Sequence, residues 1–191
     1  TGSEPIRLKE ARYDFLKQNL FIYGMDVPFV LTVAVEENAF DFFNALRKIY
    51  FPQGSSMDTH LKLFHLLPND PSIIETIENI TRQHQPLLLR VNQPLLLDHK
   101  VVYTIESAEL IQLHENLQQQ WKTFLIPQDR EKLWPHITIQ EKATEEEAKE
   151  LLHFLNENFS TFHVKATGLQ LWEYSGGQAK LFRPFQFTTS S

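Results

Sequence analysis

A chain of 191 residues, 42% hydrophobic and 22% charged, carries enough apolar side chains for one substantial core, fifteen phenylalanines among them. The formal charge of −6 argues against a broad surface tracking the phosphates of a long duplex nucleic acid, although a small anionic ligand answers to the local field of its pocket. There is no cysteine, which excludes disulfides, a thiol nucleophile and cysteine-based zinc or iron–sulfur sites.

Thr1-Gly2-Ser3 reads as a leftover of cloning and is set aside, so a single two-lobed domain is expected over residues 4–188. Residues 5–20 set Ile6, Tyr13, Leu16 and Leu20 among charges, the pattern of a short helix. VPFVLTVAV (residues 27–35) is strongly β-prone and is followed by an acidic turn, Glu36-Glu37-Asn38. Phe42, Phe43, Leu46 and Ile49 then recur at helical spacing over residues 39–50, with Pro52 and Gly54 as stops. Residues 59–66 alternate as a strand. A helix over 72–84 follows the breaker Pro68-Asn69-Asp70-Pro71.

Residues 87–97 and 100–105 read as consecutive strands turning near Asp98-His99. Leu110, Leu113, Leu117 and Trp121 mark a helix over 108–124, and a strand is expected at 136–140. Thr144 with Glu147 three residues on predicts a capping box. The acidic run Glu145-Glu146-Glu147 suits a first helical turn, where carboxylates oppose the positive end of the dipole. Strands at 162–171 and 179–187 close the chain around Gly176-Gly177. The order, β-α-β-α-β and then β-α-β-α-β-β, is a weak internal repeat. No signal-peptide pattern and no apolar run near 20 residues is present, so the expected location is cytoplasmic with no membrane association.

Two strands repeat one arrangement. In Trp134-Pro135-His136-Ile137-Thr138-Ile139 the isoleucines face one side, and His136 and Thr138 share the other. In His60-Leu61-Lys62-Leu63 the leucines face the core and His60 stands beside Lys62. Each strand therefore offers one imidazole and one group able to bind phosphate. Two histidines suit displacement at phosphorus: a neutral imidazole takes the proton of the attacking water while a protonated one donates to the leaving oxygen. Thr138 and Lys62 would hold the equatorial oxygens, and no cofactor or metal enters the scheme. A histidine on a strand is more often a surface or packing residue, and spacing alone does not decide between these readings.

These motifs resemble those of the 2H phosphoesterase superfamily, which includes 2′-5′ RNA ligase-like proteins and cyclic phosphodiesterases. The resemblance covers about residues 27–188, including the opening strand FVLTVAV, the helix after it and the final strand pair. It implies an α+β fold of two pseudo-symmetric lobes, each an antiparallel sheet with outer helices, around a central cleft. It also implies His60 and His136 as the catalytic pair and Thr138 as a phosphate ligand, acting on 2′,3′-cyclic or related phosphodiesters. The expected partner is a small cyclic phosphate, a nucleotide or an RNA end. Lys62 departs from the family, which carries Thr or Ser there; lysine binds phosphate as a longer, strongly hydrated point charge. A hydrolase, a ligase running the same chemistry in reverse and a non-catalytic nucleotide or RNA-end binder stay open.

Further candidates for substrate contact are Trp134, Trp172, Tyr174 and Arg183, the aromatics as stacking faces. Tyr23 and Phe182 also stand near the motifs. Packing competes for each aromatic, and a surface salt bridge competes for Arg183. His65, five residues past His60, is expected on the opposite face of its strand, and His84, His99, His114, His153 and His163 need no functional role. A zinc site lacks a third ligand at useful spacing, HExxH is absent, and there is no phosphate-binding loop for ATP.

Overall fold

Period-2 alternation and amphipathic helices assemble into one antiparallel sheet with helices packed on it. The structure, a computed structural model, describes residues 27–51, 59–97, 99–175 and 177–189; the helix expected over residues 5–20 and Tyr23 lie outside them. Strand β1 (Phe29–Val35) is followed by helix α1 (Glu37–Tyr50), β2 (Leu61–Leu67), α2 (Pro71–Gln83), β3 (Leu87–Leu97) and β4 (Lys100–Glu106). Helix α3 (Ala108–Gln120), a 3-10 turn (Pro127–Arg130), β5 (His136–Gln140), α4 (Glu145–Asn156), β6 (Phe162–Ser175) and β7 (Gln178–Gln186) complete the order.

The helix starts follow capping chemistry. Asp70 accepts from the Ser72 N–H at 2.8 Å with Pro71 in the first turn. Ser107 caps α3, and Thr144 and Glu147 form the expected capping box. The supposed acidic turn is instead the beginning of α1. Glu36 has no side-chain cap to give its own helix; its carboxylate accepts from the Lys165 N–H at 2.8 Å and ties that helix to β6.

The strand order β1-β2-β5-β4-β3-β6-β7, with an added β1–β6 pairing, closes the sheet on itself. The sheet is therefore barrel-like and continuous, where two separate sheets around a cleft were expected. The reason is β6: at 14 residues it is long enough to pair β3 along Phe162–Ala166 and β1 along Ala166–Glu173. It also carries β7, whose backbone passes so close that a Cβ on Gly168 would lie 2.1 Å from the Phe185 carbonyl.

The closure is uneven. Strands β1 and β6 pair from Phe29↔Glu173 to Val35↔Ala166, whereas β2 and β5 meet through Leu61↔Ile137. Leu61, Leu63, Ile137 and Ile139 join the core under the helices, where Phe43 meets the Tyr103 ring edge-on at 5.5 Å. Val30, Thr32 and Val102 are buried yet stand outside that core cluster, on the other face of the sheet. The loosely joined β2–β5 seam and that second face define the site.

Candidate functional site

Antiparallel register through Leu61↔Ile137 sets His60 alongside Thr138 and Lys62 alongside His136. All four are half-buried and line one cavity of about 470 Å³, a size suited to a small ligand. Trp134 and Tyr174 also line it. Four lysines and arginines face three carboxylates across this space, so it is far less acidic than the chain as a whole.

His136 is held in one orientation. Its Nδ1 lies 2.9 Å from the Trp134 carbonyl, which can only accept, so Nδ1 carries the proton and Nε2 the lone pair of the neutral ring. The Trp134 indole, 45% exposed, packs against the ring with centroids 4.9 Å apart. Burial pulls the His136 pKa below the usual histidine value. The Trp134 carbonyl opposes that shift, and His65, Lys100 and Lys62 add to it by repulsion. Burial likewise lowers the Lys62 pKa, against the attraction of Glu141 and Asp129. Among the described residues the Lys62 ammonium has no hydrogen-bond or ion-pair partner. Arg47 of α1 donates to the Thr138 carbonyl at 2.8 Å and reaches Glu141 at 3.7 Å, bracing β5.

Two candidate contacts lie elsewhere. Trp172 does not line the cavity; its Nε1–H donates to Thr32 Oγ1 at 2.9 Å. Arg183 is also outside it, paired with Glu78 at 2.6 Å with its guanidinium 4.9 Å from the Phe185 ring centroid. Phe182 packs 5.0 Å from Phe29.

His65 corrects the sequence reading in the other direction: it lines the same cavity as His136 and Lys62. The register runs Thr32↔Lys62, Leu31↔Phe64 and Phe29↔Leu67, so β2 contains two bulges, each inserting one residue. Each insertion flips the alternation. Leu63 and Phe64 both enter the core, and His65 returns to the cavity side. Bulged residues lose ladder partners, and here Asp129 supplies replacements. Its carboxylate accepts from the N–H groups of His65 and Leu66 at 3.0 Å and from His65 Nδ1–H at 2.8 Å. His114, stacked 4.6 Å from Phe64 and lining the cavity too, bonds the Leu63 backbone and is held neutral by burial. The doubled apolar pair Leu63-Phe64 was the available signal, since strict alternation cannot put both in one core.

Among the described residues no three His, Asp or Glu side chains gather as a metal site, and no helix is long and apolar enough to cross a membrane.

The sheet is antiparallel and closed, and its thin seam opens onto a histidine-lined cavity. The family model for the 2′-5′ RNA ligase superfamily matches residues 35–178, and the chain belongs to that superfamily, among the 2H phosphoesterases its motifs resemble. The superfamily is generally one of enzymes.

Three solved structures share the fold. TT0787 of Thermus thermophilus superposes with TM-score 0.59 at 15% identity, over 84% of this chain and 97% of that one. E. coli LigT complexed with 3′-AMP gives 0.51 at 14%, over 85% and 98%. A crystal structure described as a phosphoesterase gives 0.52 at 13%, again over 85% and 98%. No curated protein matches the chain.

Proposed function

We propose that the protein is a metal-independent phosphoesterase that opens 2′,3′-cyclic or related cyclic phosphodiesters of nucleotides or RNA ends. The observation that carries this reading is the gathering of His60, Lys62, His136 and Thr138 along one wall of one cavity.

In the reaction, His136 is the base. Its Nε2 holds a lone pair because Nδ1–H is committed to the Trp134 carbonyl, and burial keeps the ring neutral. It takes a proton from water as the water oxygen bonds to phosphorus. The phosphorus–ribose oxygen bond breaks, and His60, entering protonated, gives its proton to that oxygen. A phosphomonoester and a free ribose hydroxyl result. The Lys62 ammonium and Thr138 hydroxyl bind the non-bridging oxygens and stabilise their charge in the transition state. Trp134 and Tyr174 supply stacking faces for the base. In this reading each half of the chain acts as a lobe contributing one motif strand, and a nucleotide or RNA-end substrate fits a cytoplasmic protein.

Ligation is the same path reversed, with a ribose hydroxyl in the place of water. A second reading, non-catalytic binding of nucleotides or RNA ends, is favoured by one observation. Lys62 stands where the family carries a short hydroxyl and puts a longer ammonium into the cavity.

The test is turnover of 2′,3′-cyclic nucleotides in the presence of chelator. Wild-type turnover lost in both His60→Ala and His136→Ala, with nucleotide binding retained, supports the enzyme. Tight binding of 3′-AMP without turnover supports the binder.

A further inference from the structure

The carboxylates that attract Lys62 are Glu141 and Asp129, and both are engaged by other groups. Glu141 meets Arg47 and Lys100, each at 3.7 Å. Buried Asp129 accepts from the His65 and Leu66 N–H groups at 3.0 Å and lies 2.8 Å from His65 Nδ1. The cavity therefore spends its negative charge elsewhere and leaves the Lys62 ammonium without an ion-pair or hydrogen-bond partner among the described residues. Burial, joined by repulsion from Lys100 and Arg47, lowers the pKa of this amine. An ammonium left in that condition costs the fold free energy, and a bound anion offsets the cost. Lys62 is also well placed for one: it stands alongside His136 across the β2–β5 seam, and both line the cavity.

We propose that Lys62 makes the cavity selective for dianionic phosphomonoesters over monoanionic phosphodiesters, so that the protein holds the product of ring opening more tightly than the cyclic substrate. This rests on the cavity being a nucleotide phosphate site. A cyclic diester carries one negative charge. Opening it gives a monoester whose second proton leaves with a pKa of about 6, so that it carries nearly two charges at about pH 8. The added charge falls on the phosphoryl oxygens, where an unpaired ammonium gains most from it. The neutral hydroxyl that the family carries at this position gains far less. An amine that has shed its proton in the empty cavity takes one up as the dianion arrives, so the preference holds in either state of the free protein.

The experiment is calorimetric titration of the full chain at about pH 8 with 2′-deoxyadenosine 3′-phosphate and with its methyl ester. The two share base and sugar, differ by one charge, and lack the 2′-hydroxyl needed to form a cyclic phosphate. The dianion is expected to bind about tenfold more tightly, the effect of one strengthened charge-assisted contact. In Lys62→Thr that advantage should fall to within about threefold. Lys62→Met, which keeps an unbranched stem and removes the charge, should give the same result. Equal affinities in the wild type, or an undiminished advantage in both variants, would overturn the selectivity and leave the phosphoesterase reading standing. So would failure of either ligand to bind a protein that still turns over 2′,3′-cyclic nucleotides. No binding and no turnover would overturn both readings.

Discussion

Strands β2 and β5 carry the same short motif and treat it differently. In β5 the alternation runs unbroken for five residues, so His136 and Thr138 stand together as their spacing requires. In β2 the first three motif residues obey the same rule, and then the first of two bulges brings a third histidine to the cavity side. The lesson is that a period-2 argument holds only as long as the ladder does. Where it breaks, a side chain from elsewhere in the chain, here Asp129, must take over the freed backbone groups.

The comparison can be broken hardest at the histidines. If the two strands contribute one imidazole each to a single reaction, His60→Ala and His136→Ala should each lower kcat/KM for a 2′,3′-cyclic nucleotide by about 10²–10⁴-fold. The double variant should fall little further, because paired groups act as a unit. A large loss in one variant and almost none in the other would mean that the strands do not share the work.

The bulges are the next point of attack. Asp129→Ala leaves one buried and one part-buried N–H group and an imidazole without their acceptor and should cost about 3 kcal/mol in urea unfolding. Thr138→Ala on the unbulged strand should be far milder. Equal effects would show that β2 does not depend on Asp129.

Lys62 marks the chemical difference between the motifs. Lys62→Met should weaken 3′-AMP binding about tenfold and flatten its salt dependence, while Thr138→Val, which removes a neutral donor, should cost less.

The smallest effect is on pH. Burial holds the His136 pKa below the ordinary histidine value, so the acid limb of kcat/KM should lie below about pH 6.5. The same shift makes the unfolded chain bind the extra proton first. Stability contributed by neutral His136 is therefore complete above about pH 6.5 and declines as the pH falls toward the folded value. An acid limb above 6.5 would remove His136 from the role of base.

Much of this was readable from residues. The last helix announced its start through the Thr144–Glu147 pair, because capping is local chemistry. That His60 shares a face with Lys62, and His136 with Thr138, was readable because each motif is only a few residues long and alternation is reliable over that length. Closure of the sheet was not. It depends on the two pairing partners of β6, far apart in the chain, and nothing within residues 162–175 reveals both. Asp129 was hidden for a similar reason: its role is set by a bulge more than sixty residues earlier. Trp172 and Arg183 were candidates by residue type alone; they bond Thr32 and Glu78 and do not line the cavity.

The most direct test is a crystal structure with 3′-AMP bound. The phosphate should lie between the imidazoles of His60 and His136, with the Lys62 ammonium and the Thr138 hydroxyl within hydrogen-bond distance of its oxygens. A phosphate seated elsewhere, or contacting only one of the two histidines, would contradict the account.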